Sequence, residues 1–225
     1  MRRLPVYLLL DTSGSMRGEP IEAVNTGISL MVSALRQNPY FLEMVHVSII
    51  TFDFDAKVVV PLTALEKLQV PHIDTPQSGP THLGLALEML GERVKQEVRY
   101  STAEQKGDWV PFLFVMTDGK PSDIQVYEQQ CPKIRSIGFA SIIGCVAGPK
   151  ARKEDLEALC DHVVALDTMD SPGLSNFLGS IPSMLSYALM KYDDLQINEE
   201  ADLSDILHVT QPREFPSPPP EINLV

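Results

Sequence analysis

Three short polar stretches carry residue types that could do chemistry together: Asp11-Thr12-Ser13-Gly14-Ser15, Ser78-Gly79-Pro80-Thr81 and Thr117-Asp118-Gly119. The first and third each supply a carboxylate, and all three supply hydroxyls. Two unpaired carboxylates facing one another would repel and push at least one pKa upward, whereas a small hard cation would neutralise both. The motifs hold no His or Cys, so the donors are all oxygen, which selects Mg²⁺, with Mn²⁺ or Ca²⁺ as alternatives, over Zn²⁺ or Cu²⁺. Mg²⁺ takes oxygens at ~2.0–2.1 Å, keeps waters and accepts only one or two protein carboxylates, which leaves a position open to an outside ligand.

The elements that must position these residues are legible from periodicity. Residues 6–10 form a continuous apolar run that stops abruptly at the first polar stretch, as expected of a strand buried on both faces and then a loop at its carboxyl end. Ile21, Val24, Ile28, Met31, Val32 and Leu35 recur at helical spacing and stop near Asn38-Pro39. Residues 45–52 and 57–62 read as two strands close enough to pair as a hairpin. From His82, the stripe Leu83, Leu87, Leu90 and Val94 predicts a helix, and residues 110–116 predict a fourth strand running into the TDGKPSD turn, followed by a helix to Arg135. Strands at 139–146 and 162–166 flank a short helix at 153–160. A closing helix carries Leu174, Phe177, Leu178, Ile181, Leu185 and Leu189, with Pro182 expected to bend or interrupt it. Alternating strands and helices imply an α/β, Rossmann-like three-layer αβα architecture, its mostly parallel sheet having about six strands with one antiparallel edge strand. In such sheets ligands sit beyond the carboxyl ends of the strands where strand order reverses, which is where Asp11 and Asp118 would fall if strands one and four are neighbours.

Composition narrows the function classes. The 225 residues contain 30 acidic against 18 basic side chains, a net charge of −12, so a phosphate backbone would be repelled and nucleic acid is not expected as a partner. Three scattered cysteines, Cys131, Cys145 and Cys160, indicate neither a zinc cluster nor a disulfide framework, and fit a reducing compartment. Arg2 and Arg3 before the first apolar run look like the start of a signal peptide, but Asp11 ends the run too early and no small-residue cleavage site follows. No stretch approaches the ~20 apolar residues of a membrane span, so no membrane association and a cytoplasmic location are expected. Residues 1–192 read as one domain bearing the site, and residues 193–225 as an acidic, Pro-rich tail, with five prolines between Pro212 and Pro220.

Blander readings compete at each position. Asp11, Asp118, Ser13, Ser15 and Thr81 could each cap a helix or turn, and only their joint placement argues otherwise. Asp53 and Asp55 read as a solvated turn, Lys120 as a solvent-facing turn lysine, and the five histidines as core or surface residues. A Mg²⁺-dependent phosphatase or other phosphoryl-transfer enzyme could use the same sheet-edge cation. A haloacid-dehalogenase-type phosphatase, however, needs a second carboxylate where Ser13 stands, and no GxxxxGK[ST] loop is present for nucleotide phosphates.

The combination Asp11, Ser13, Ser15, then Thr81, then Asp118 resembles the von Willebrand factor A family, whose DxSxS pattern, loop threonine and later Asp-Gly form a metal-ion-dependent adhesion site. The resemblance covers about residues 4–192 in strand and helix succession. It implies that the two serines coordinate the ion directly, that the threonine alternates between direct and water-mediated contact, and that a partner's Asp or Glu completes the shell. Met16, Arg17, Gly18 and Glu19, with Lys120, Pro121 and Ser122, would rim that contact because they follow the metal-bearing turns. The opening MRRLPVY, the stretch Lys106-Gly107-Asp108-Trp109 and the ending PPPEINLV are similar to bacterial tellurium-resistance von Willebrand A proteins of the TerY type. That likeness implies a non-catalytic adaptor working beside a protein kinase and a metal-dependent protein phosphatase in stress response.

Overall fold

The computed structural model describes residues 2–76, 79–102, 104, 106–148, 152–166 and 171–196. By internal contacts the chain divides into two units, Met1–Tyr187 and Ala188–Val225. Ser78 and the Pro-rich tail lie outside the described residues.

Six strands form one sheet: β1 (Leu4–Asp11), β2 (Val45–Phe52), β3 (Ala56–Ala64), β4 (Phe112–Thr117), β5 (Ser141–Ala147) and β6 (His162–Leu166). Their order is β3-β2-β1-β4-β5-β6, with every pair parallel except β2–β3. The chain adds strands to one side of β1, then crosses to the other side for β4, so strand order reverses between β1 and β4. Leu10 lies opposite Met116 there, which brings the ends of both strands side by side. All eight residues of β1 and all six of β4 are buried, as continuous apolar runs in the middle of a covered sheet should be.

The helices are α1 (Glu19–Gln37), α2 (Pro39–Met44), α3 (Leu83–Glu97), α4 (Ile124–Ile137), α5 (Glu154–Glu157) and α6 (Ser171–Gln196). Leu83, Leu87, Leu90 and Val94 of α3 join Tyr127, Cys131 and Ile134 of α4 in one core with Tyr7 and Leu9 of β1 and Leu113 and Val115 of β4. Helices α1 and α6 meet at Gly27, where an added Cβ would stand 2.9 Å from Leu178 Cβ, and serve the opposite face. A tighter approach joins α3 to α4: a Cβ on Gly84 would lie 2.4 Å from the Tyr127 backbone nitrogen. Gly84→Ala is therefore expected to destabilise the chain by about 3 kcal/mol, the upper part of the overpacking range, in urea melts. Unchanged stability would mean that the two helices can part without loss.

Several boundaries differ from the sequence expectation. Asn38-Pro39 ends α1 but also starts α2, since the Asn38 side chain accepts a hydrogen bond from Tyr40 N at 2.9 Å and Pro39 fits a first helical position. Strand β3 extends to Ala64 through Pro61, which an edge strand tolerates. Pro111 delays β4 to Phe112, and α5 is only one turn. Helix α6 is not interrupted at Pro182. Leu178, Ile181 and Leu185 on either side are fully buried, and this packing outweighs the one backbone hydrogen bond the ring removes. Cys131, Cys145 and Cys160 are free and buried, and burial pushes all three thiols up, Cys145 to about 12. Among the described residues, no helix is long and apolar enough to cross a membrane.

Candidate metal centre

Asp11 is the last residue of β1 and only 1% exposed. One carboxylate oxygen accepts the Ser13 backbone N–H at 2.7 Å, an Asx turn that folds the loop back over the strand end. The other accepts the Thr117 hydroxyl at 2.6 Å across the β1–β4 seam. Burial is the main influence on this group and pushes its pKa up to about 6, with the Asp118 charge adding to the rise and the bonds from Thr117 and Ser13 opposing it.

Ser13 Oγ lies 3.2 Å from Ser15 Oγ and 3.5 Å from Asp118 Oδ1, so the first and third polar stretches meet through side chains. The middle stretch is stitched to both. Gly14 N–H donates to Gly79 O at 3.3 Å, Ser122 N–H donates to Thr81 O at 2.8 Å, and Thr81 N–H donates to Ser122 Oγ at 3.2 Å. A Cβ added to Gly119 would stand 3.7 Å from Thr81 Oγ1, which places that hydroxyl beside the Asp118 turn. Asp11, Ser13, Thr81 and Asp118 are buried, while Ser15 is exposed at the mouth. The sequence thus nominated five residues, and the fold brings all five together.

The donors are two carboxylates and three hydroxyls. Among the described residues, no group of three or more His, Cys, Asp and Glu could hold a metal, so an ion here would complete its shell with hydroxyl, backbone or water oxygens beside the carboxylates. Two acids, one nearly sealed from water, are costly to ionise side by side, and a hard dication would relieve both. The residues present fit such an ion.

Three positioning interactions had no reading in the sequence. Thr117 orients Asp11. Thr12 Oγ1 donates to Asp53 Oδ2 at 3.1 Å, so Asp53 is partly buried and engaged rather than simply solvated, while Asp55 is exposed as expected. Asp123 accepts the Gly84 and Leu85 N–H groups at 3.1 and 2.9 Å, capping α3 from the loop after Asp118. The Thr in Thr117-Asp118-Gly119 was the only available signal among these.

Of the expected rim, Arg17, Gly18, Glu19, Lys120 and Ser122 are exposed. Met16 is corrected: at 1% exposure its side chain is in the core, because the 3₁₀ turn Gly14–Met16 directs Ser15 outward and the apolar residue inward. Pro121 is buried as well. Gly18, at φ +87°, makes the left-handed turn that leads into α1.

A parallel sheet covered on both faces, with an oxygen-rich cluster where its strand order reverses, defines a class of α/β domains that present a site at the sheet edge. The von Willebrand factor type A domain model matches residues 6–175, and the chain belongs to that family. An uncharacterized protein of Synechocystis is 30% identical over 132 residues, which cover 53% of this chain and 26% of that protein. Proximal thread matrix protein 1 from the mussel byssus shares the fold, with TM-score 0.61, 18% identity and coverage of 79% of this chain and 46% of that one. Its structure has also been solved with zinc occupying the MIDAS motif. A von Willebrand factor type A protein from Catenulispora acidiphila superposes with TM-score 0.59 at 16% identity, covering 80% of this chain and 42% of its own. The chain thus spans about a quarter of the curated relative and less than half of these solved structures.

Proposed function

We propose that the chain is a non-catalytic, divalent-cation-dependent protein–protein interaction module. The observation that carries this reading is the meeting of Asp11, Ser13, Ser15, Thr81 and Asp118 at the reversal of strand order. These five residues would hold Mg²⁺ or a similar hard ion. When bound, that ion supplies a positive charge able to accept an Asp or Glu carboxylate from a partner. Asp11 and Asp118 supply charge, the hydroxyls supply neutral oxygens, and the exposed Arg17, Gly18, Glu19, Lys120 and Ser122 form the surrounding surface. The likeness to TerY-type proteins supports a finer reading, an adaptor in a tellurium-resistance or stress-response system, with a protein kinase and a metal-dependent protein phosphatase as its partners.

A phosphatase reading lacks its second carboxylate. The residue two positions after Asp11 is Ser13, whose hydroxyl pairs with Ser15. In a thermal melt, Mg²⁺ or Mn²⁺ at 100 times its dissociation constant is expected to stabilise the wild-type chain by about 2.7 kcal/mol. Asp11→Ala should abolish that gain, and Asp118→Ala should release a captured partner while circular dichroism stays native. A gain that persists in Asp11→Ala would remove the site, and metal-dependent phosphatase activity of the purified chain would replace the binding reading with an enzymatic one.

A further inference from the structure

The polar stretches of the metal centre come from separate parts of the chain, and a coordination shell forms only where supporting groups hold its donors in register. The β2–β3 turn is such a support. Thr12 stands between Asp11 and Ser13, and its N–H donates to Phe52 O at 2.8 Å. Its hydroxyl lies 3.2 Å from Phe52 O and 3.1 Å from Asp53 Oδ2. The end of β1 is therefore tied on both sides, to β4 through Asp11 and Thr117 and to the end of β2 through Thr12.

The same turn holds the second stretch. His82, directly after Thr81, donates its N–H to Asp53 O at 3.0 Å, and a Cβ added to Gly79 would stand 3.4 Å from Asp53 Cβ. Asp53 thus borders the chain on both sides of Thr81 and also reaches the residue between Asp11 and Ser13. An ordinary Asx turn accounts for only part of this. In it, Oδ1 accepts the Asp55 N–H at 3.2 Å, and the Asp53 N–H donates to Asp55 O at 3.0 Å. Oδ2 is not needed for that turn, and it is the atom that meets Thr12.

We propose that Asp53 is a positioning residue of the metal centre, holding the loop of Asp11, Ser13 and Ser15 and the Thr81 stretch at the spacing one ion requires. The role rests on the metal-dependent reading above and adds to it a residue that is not itself a ligand. Asp53 supplies position rather than charge. In Asp53→Asn the amide oxygen can still accept the Asp55 N–H, and the amide nitrogen can donate to the Thr12 hydroxyl, which then donates to Phe52 O. Asp53→Ala cuts that link, and Thr12→Val cuts it from the other side.

The test measures the Mn²⁺ dissociation constant of the full chain by isothermal titration calorimetry, beside its melting temperature in EDTA. Asp53→Ala and Thr12→Val should each weaken Mn²⁺ binding by roughly tenfold to a hundredfold, the range for groups that support metal ligands. Asp53→Asn should stay within about threefold of wild type, and the double variant Thr12→Val/Asp53→Ala within about threefold of the weaker single one, because both substitutions break one link. Unchanged affinity in Asp53→Ala with only the EDTA melt lowered would reduce Asp53 to a turn residue and overturn the role. Equal losses in Asp53→Asn and Asp53→Ala, or effects that multiply in the double variant, would overturn it as well. Should Asp53→Ala fail to fold, Thr12→Val and Asp53→Asn still decide between these outcomes. A wild-type chain that binds no Mn²⁺ would instead remove the metal reading, and the positioning role with it.

Discussion

Asp11→Asn is expected to stabilise the metal-free chain increasingly with pH, the advantage over wild type growing by roughly 2 kcal/mol between pH 4 and pH 7. Burial raises the Asp11 pKa from 3.8 to about 6 in the folded state. Between those values the folded chain holds a proton that the unfolded chain has lost, so wild-type stability falls as pH rises, and above about pH 6 the full penalty is present. Asparagine does not ionise in this range and escapes it. Its amide must face the Thr117 hydroxyl and the Ser13 N–H, which adds a pH-independent cost, so the growth of the difference with pH is the quantity to read. Urea melts in EDTA at pH 4, 5, 6 and 7 measure it. A difference that stays flat would mean that Asp11 ionises as freely as an exposed carboxylate. Adding Mg²⁺ at pH 7 should stabilise wild type and leave the variant unmoved, a trade of stability for binding.

Asp108→Ala should cost about 3–5 kcal/mol, as much as truncating a buried core side chain. The Asp108 side chain is only 3% exposed and accepts Arg3 Nε at 2.8 Å, Arg3 Nη2 at 2.5 Å and the Arg99 N–H at 2.8 Å. Arg3 also donates to Glu97 O, and Arg2 donates to Gly107 O and Asp108 O while lying 4.2 Å over the Trp109 ring. Removing the carboxylate strands a guanidinium and a backbone donor together. Chemical denaturation of Asp108→Ala against the double variant Arg3→Met/Asp108→Leu separates the two contributions: the double variant should recover part of the loss, because no unpaired charge remains. A single variant within 1 kcal/mol of wild type would show that water replaces the carboxylate with little penalty.

The sheet and the five clustered residues were legible because Asp11 and Asp118 sit where apolar runs stop and Thr81 sits just before a helical stripe begins, and such changes of pattern mark element ends directly. What escaped was set by partners distant in sequence. Thr117 reaches Asp11 across 106 positions, Thr12 reaches Asp53 across 41, and Asp123 reaches Gly84 across 39. Nothing in the local pattern of any of these residues names its partner. Met16 was misplaced for a related reason: its neighbours are polar loop residues, and only the inward side of a single 3₁₀ turn explains its burial. Pro182 shows the converse for interruption: the helix runs on through it, held by packing on both sides.

The sealed thiols have a practical reach. Because Cys131, Cys145 and Cys160 all lie in the interior with weakened acidity, a maleimide dye should ignore them in the native chain. One cysteine introduced at exposed Lys57, at the start of β3, would then carry a lone fluorophore, and its emission could follow the arrival of a bound partner in real time without rebuilding the interior.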